Sequence, residues 1–213
     1  MGKINQGILG GVSGQVGNVI GGTWKGIDYL RIKPSSVANP RTEGQMDQRS
    51  RFSTALQFLQ PMLDFIKIGY KNYAIKMSAF NSAMSNILKN AITGAYPDFS
   101  IDYANALISR GSLAGVLNGA ANSSVAGAID FTWDDNSIES NAQATDKAMI
   151  LAYNQSKNKA VFVTAGAARS VGTQTLTVPN DFSGDTAECF IAFISADSLS
   201  VANSKYLGSV TVA

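Results

Sequence analysis

The sequence predicts an α+β protein: an N-terminal β-hairpin with two or three helices, followed by a C-terminal antiparallel β-sandwich. Three observations predict it. The opening is glycine-rich and holds two short alternating runs. Residues 40–92 place apolar side chains at helical spacing. From about residue 110, short β-branched and aromatic runs recur between turn signals.

The hairpin rests on nine glycines in the first 26 residues and on two runs, about 14–20 and 27–33. In the second run Ile27, Tyr29 and Arg31 alternate with Asp28, Leu30 and Ile32. Gly21-Gly22 between them is expected to supply the positive φ of a tight turn. An isolated hairpin is marginal in water, so this one must pack on its own helices or on another subunit.

The helices follow. Asn39 is a good N-cap, and Pro40 suits the first helical position, where its missing N–H costs nothing. Gln45, Arg49, Phe52, Leu56, Leu59 and Leu63 fall on one helical face, and Pro61 is expected to divide the helix. A further segment, about 76–92, aligns Phe80, Met84, Ile87, Leu88 and Ala91, and ends near Gly94. In FIKIGYKNYAIK (65–76), Phe65, Ile66 and Tyr70 are expected to pack inward, with Lys67 and Lys71 on the wet face.

Gln45 and Arg49 extend the apolar stripe toward the helix start, so both are expected to face inward or toward a partner. A guanidinium there needs acceptors, and the edge carbonyls of a glycine-rich hairpin offer them. The resulting expectation is a polar clamp used in assembly, drawn from Trp24, Arg31, Asn39, Pro40, Arg41, Gln45 and Arg49. Contact with a phosphate or nucleic acid is the weaker alternative.

Beyond residue 110, Ile129, Phe131 and Trp133 alternate with polar neighbours. AMILAY (148–153), AVFVT (160–164), TLTV (175–178), CFIAFI (189–194) and YLGSVTV (206–212) follow. DDNS, NQSKN, PNDFSGD and SADS separate them. With AGVLNGAANSS as first strand and loop, about seven strands make an immunoglobulin- or fibronectin-III-like sandwich. The expected organisation is a hairpin-plus-helix unit over 1–95, then linker and sandwich over 96–213.

Composition narrows the chemistry. Histidine is absent and Cys189 is the only cysteine, which removes intramolecular disulfides, Cys/His zinc sites and imidazole-dependent triads. Cys189 opens an apolar strand and is expected as a buried thiol. Gly11, Gly14 and Gly17 lack the surroundings of a nucleotide loop. Asp134, Asp135, Asn136 and Glu139 lack EF-hand spacing and are expected as a solvated turn. Nothing supports paired-carboxylate catalysis by Asp98 and Asp102. No catalytic residue, metal or cofactor is expected.

The uncharged stretches 4–24 and 111–129 are too interrupted by Gly, Asn, Gln and Ser to span a bilayer. The N-terminus does not read as a signal peptide. Residues 1–100 hold eleven Lys/Arg against five Asp/Glu, and residues 101–213 hold six against ten. Halves of opposite sign can attract within one copy or between copies.

GKI-QGILGG-SG-VGNV, WKGIDYLR (24–31), NPRT (39–42) with Gln45 and Arg49, and YLG (206–208) resemble an uncharacterised Bacteroidota protein family of about this length. The hairpin followed by Asn-Pro-x-Thr-x-x-Gln-x-x-x-Arg is also similar to products of phage structural genes. The resemblance implies no catalytic residues. The expected function is a non-enzymatic structural subunit that self-assembles through its hairpin into a multi-copy particle, phage-like or virion-like, or a filament. Its partners would be copies of itself and other structural proteins, with nucleic acid disfavoured. Its place would be the cytoplasm or the assembled particle. The alternative is a binding module for carbohydrate, protein or nucleic acid.

Overall fold

A computed structural model describes residues 3–4, 10–24, 26–36, 39, 41–75 and 77–213. The chain forms two compact units, Met1–Thr42 and Glu43–Ala213.

In the first unit, β1 (Lys3–Ile4), β2 (Val12–Val16), β3 (Val19–Trp24) and β4 (Ile27–Ile32) form one antiparallel sheet in the order β1-β2-β3-β4. The turns are not where the sequence places them. Val16 pairs with Val19 across Gly17-Asn18, and Trp24 pairs with Ile27 across residues 25–26. In these turns Gly17 and Gly26 have positive φ values, 57° and 83°, and Gly14 within β2 has a third, 98°. Gly21-Gly22 instead lies inside β3. A Cβ on Gly21 would stand 2.0 Å from the Val12 carbonyl oxygen, so this glycine permits close approach of backbones, not reversal.

The second unit begins with helices. Helix α1 (Glu43–Leu59) runs into a 3-10 turn at Gln60–Met62 that contains Pro61, then α2 (Leu63–Gly69) and a further 3-10 turn at Lys71–Tyr73. Helix α3 (Ala79–Asn90) is capped by Ser78, whose hydroxyl oxygen accepts the Asn81 N–H at 3.1 Å. Helix α1 starts at Glu43, four residues after the expected cap Asn39.

Its buried face also differs from the expected stripe. Ala55, Phe58 and Leu59 are buried, whereas Gln45, Arg49, Phe52 and Leu56 are exposed, as is Leu63 at the start of α2. The cause is an aromatic cluster. Phe58 stands edge-on to Tyr103 (5.7 Å between centroids) and Tyr153 (5.2 Å), and turning α1 to bury Phe52 would pull Phe58 out of it. Phe65, Ile66 and Tyr70 are buried while Lys67 is exposed, as the sequence predicts.

The stretch expected as linker contains a small hairpin, β5 (Ile92–Ala95) with β6 (Asp98–Ile101). Seven strands follow: β7 (Leu117–Asn122), β8 (Ala128–Asp134), β9 (Lys147–Asn154), β10 (Lys159–Val163), β11 (Thr173–Thr177), β12 (Thr186–Ile194) and β13 (Lys205–Thr211). They form two antiparallel sheets, β10-β9-β12-β13 and β11-β8-β7. One core lies between the sheets, where Ile129, Phe131 and Trp133 of β8 join Ile150 of β9 and Cys189, Ile191 and Phe193 of β12.

A second core joins the four-stranded sheet to the helices. Met149, Leu151 and Tyr153 of β9, with Phe190, Ala192 and Ile194 of β12, share it with Phe58, Phe65, Met84 and Ile87. Strands β9 and β12 are covered on both faces, which is why AMILAY and CFIAFI read as unbroken apolar runs. The helices are therefore a layer on the sandwich. The compact units part at Thr42/Glu43, not near residue 95.

Candidate functional site

Among its described residues the first unit shows no apolar interior. Gly21 is its only buried residue among those described. Every residue of β4 is exposed, with Ile27 at 70%, Leu30 at 62% and Ile32 at 79% of their full accessible surface. Val16, Val19, Trp24 and Tyr29 extend this apolar surface. By register and alternation Trp24, Ile27 and Tyr29 share one face of the sheet and Val16, Val19, Leu30 and Ile32 the other. Both faces thus expose apolar side chains, which monomeric proteins seldom leave clustered in water.

Strand β4 also ends the sheet order, so among the described residues its outer edge carries unpaired backbone groups. The Lys33 N–H donates to the Asn18 carbonyl at 2.7 Å. By strand alternation, the backbone groups of Asp28, Leu30 and Ile32 then point to the free edge. The Thr23 hydroxyl donates to the Asp28 carboxylate, tying β3 to β4 through side chains as well.

The expected clamp residues are distributed over both units. Trp24 ends β3, and Arg31 lies in β4 opposite Ile20. Asn39 and Arg41 are exposed outside regular structure, and Pro40 lies outside the described residues. Gln45 and Arg49 belong to α1 in the second unit and are exposed, so of the two placements expected, inward or toward a partner, they do not take the inward one.

The buried guanidinium of this protein is Arg169, which sequence reasoning passed over. It is fully buried in a 3-10 turn, Arg169–Val171. Its Nε donates to Asp146 Oδ2 at 3.2 Å. Nη1 donates to the Gly115 carbonyl at 3.0 Å and Asn136 Oδ1 at 2.6 Å. Nη2 donates to the Ala114 carbonyl at 3.0 Å and lies 3.1 Å from Asp146 Oδ2. The guanidinium carbon stacks 3.8 Å from the Phe193 ring centroid, and the Trp133 indole N–H donates to the Arg169 carbonyl at 2.7 Å.

Burial lowers the Arg169 pKa from its ordinary value, and the Asp146 carboxylate opposes that shift. The arrangement ties four remote chain positions together. It recruits Asn136 out of the turn expected to be fully solvated. A lone arginine amid AARSVG is the only sequence signal it leaves.

Cys189 is buried, and desolvation followed by the neighbouring Glu188 pushes its thiol up to about 12, so it is not a nucleophile at neutral pH. The Asp102 carboxylate accepts from Ala104 N–H and the Asn105 amide in a local turn. Among the described residues no group of His, Cys, Asp or Glu could hold a metal ion, and no helix is long and apolar enough to cross a membrane.

No curated protein matches the sequence. Among solved structures, the chain is similar to the fibronectin type III domain of human collagen α-1(XX) chain, with 15% identity over 49% of this chain and 91% of that domain, at a TM-score of 0.35. A family profile, by contrast, covers nearly the whole length, residues 11–208, taking in the exposed sheet, the helices and both sheets of the sandwich. On that match the chain belongs to DUF6266, a family of unknown function.

Proposed function

We propose that this chain is a non-enzymatic structural subunit that self-assembles into a multi-copy particle or filament through its N-terminal sheet. One observation carries the reading: a four-stranded sheet with a single buried glycine and an edge strand exposed at every residue. Such a surface gains most by adding a strand to another copy's sheet edge. Main-chain hydrogen bonds supply attraction there, and alternate side chains set the register.

Charge favours a second copy as the partner. Residues 1–42 hold five Lys/Arg against one Asp, net +4, while residues 43–213 hold twelve basic against fourteen acidic, net −2. A head-to-tail contact between unlike surfaces gives rings or open filaments. In this reading a hairpin-derived arm precedes a fibronectin-III-like sandwich, which serves as the body of the subunit.

Light scattering of the full chain, of a chain lacking residues 1–34, and of Leu30→Pro tests it. Leu30→Pro removes a backbone N–H that points to the free edge, leaving internal sheet bonds in place. Both variants are expected to lose the oligomer of the full chain, and persistence of the same oligomer in both would end the proposal.

A further inference from the structure

A cleft within the second unit, with a volume of about 230 Å³, opens where α1, β6 and the turn between β9 and β10 meet. Its make-up is distinctive. None of its ten lining residues is charged, and they combine aromatic rings with amides and hydroxyls; the Arg51 guanidinium stacks on the Phe99 ring, 4.8 Å from its centroid. Phe99 and Tyr103 supply ring surface near the mouth. Phe58 and Tyr153 also line it and are almost wholly buried, and Tyr103 and Tyr153 stand 6.3 Å apart between centroids. Burial holds the Tyr103 and Tyr153 phenols protonated, raising both above the ordinary tyrosine value.

Several polar groups have no partner among the described residues, and the turn that carries two of the amides is braced. The side-chain amides of Gln57 and Gln155 hydrogen-bond to no described residue. Asn158 accepts from the Tyr153 hydroxyl at 3.0 Å through Oδ1, which leaves both Nδ2 hydrogens for a ligand. The turn carrying Gln155 and Asn158 is braced from behind. The Asn154 side chain accepts from the Ser156 hydroxyl (2.7 Å) and the Lys157 N–H (3.1 Å), and donates to Asp185 (2.8 Å). The Lys157 ammonium closes this bracket on Asp185, whose carboxyl it holds below the usual carboxylate range. Such bracing cuts the ordering cost of binding.

We infer that this cleft binds one uncharged, pyranose-sized sugar ring, the terminal residue of a neutral glycan. The lining is neutral and the cation beside it, Arg51, is already paired with Asp47 at 3.1 Å, so a phosphate or carboxylate would be desolvated without a free counter-charge. Donors and acceptors on amides, beside flat ring faces, match a ring that carries hydroxyls on its rim and C–H groups on its faces. The volume lies below the ~300–1,000 Å³ of pockets for drug-sized ligands, which limits the occupant to a single ring. This inference does not rest on self-assembly.

Saturation-transfer NMR on the full chain tests it. The probes are the methyl pyranosides of glucose, galactose, mannose and N-acetylglucosamine, with myo-inositol, glucuronate and glucose 6-phosphate as comparators. At least one neutral pyranoside is expected to saturate with a Kd of about 10 mM or tighter, and both charged sugars to bind at least about fivefold more weakly. Gln57→Ala and Gln155→Ala alter exposed side chains that no described residue uses. Each is expected to weaken binding about three- to tenfold, the value of one hydrogen bond. Failure of every pyranoside to saturate, equal binding by both variants, or preference for inositol or the charged sugars would overturn the assignment.

Discussion

Strands β4 and β12 have similar chemistry and opposite fates. Both are antiparallel and rich in isoleucine and aromatic residues. Yet β12 is buried at all but Thr186 and Glu188, and β4 is exposed at all six positions. Composition made both of them strands. Burial came from a second layer: β12 has a sheet on one face and helices on the other, and β4 has no such layer within its own unit among the described residues. Strand propensity is the tendency to sit on a half-buried surface, and it does not supply the surface that does the burying.

The largest effect that sharpens this contrast is expected at Arg169. Arg169→Met leaves the Asp146 carboxylate buried without its cation, and urea unfolding of the full chain should show a loss of about 3–5 kcal/mol. The double variant with Asp146→Leu should recover a substantial part of that loss. A single variant as stable as the parent would mean that the sandwich does not depend on this pair.

The next effect probes both faces of one strand. Met149 and Ile150 are neighbours in β9 that enter different cores. Met149→Ala and Ile150→Ala should each cost about 2–5 kcal/mol by the same measurement. A neutral result for either would show that its layer is not packed, and would make that side of β9 resemble β4.

The smallest effect is expected at the N-terminal sheet. Ile32→Thr alters a side chain that is 79% exposed, and should change stability to urea by no more than about 0.5 kcal/mol at concentrations where the chain is monomeric. A loss of several kcal/mol in the monomer would dissolve the distinction between the two units.

The sandwich was legible in the sequence because alternation and turn residues are local signals. Each run from Ile129 onward became a strand, and Pro61 divided the helices as its chemistry requires. The N-terminal turns were misplaced because nine glycines in the first 26 residues compete for them, and backbone crowding at Gly21 marks a pairing glycine off from a turning one. The face of α1 was misread because Phe52 and Leu56 fit a stripe as well as Ala55 and Phe58 do. The choice was made by Tyr103 and Tyr153, far along the chain. The Arg169 network and the neutral cleft each assemble from separate segments, so no spacing rule reveals either.

The two-sided strands β9 and β12 carry a consequence for how this sequence can drift. Residues one peptide apart hang from the same backbone but answer to different layers, and close-packed interiors transmit displacement instead of absorbing it. A bulkier side chain on the helical side therefore nudges main chain to which the opposite sheet is fitted. Accepted changes at Leu151 or Phe190 should be accompanied by compensating ones at Ile150 or Ile191, so that helices and distal sheet evolve as correlated parts although they never touch those residues in common.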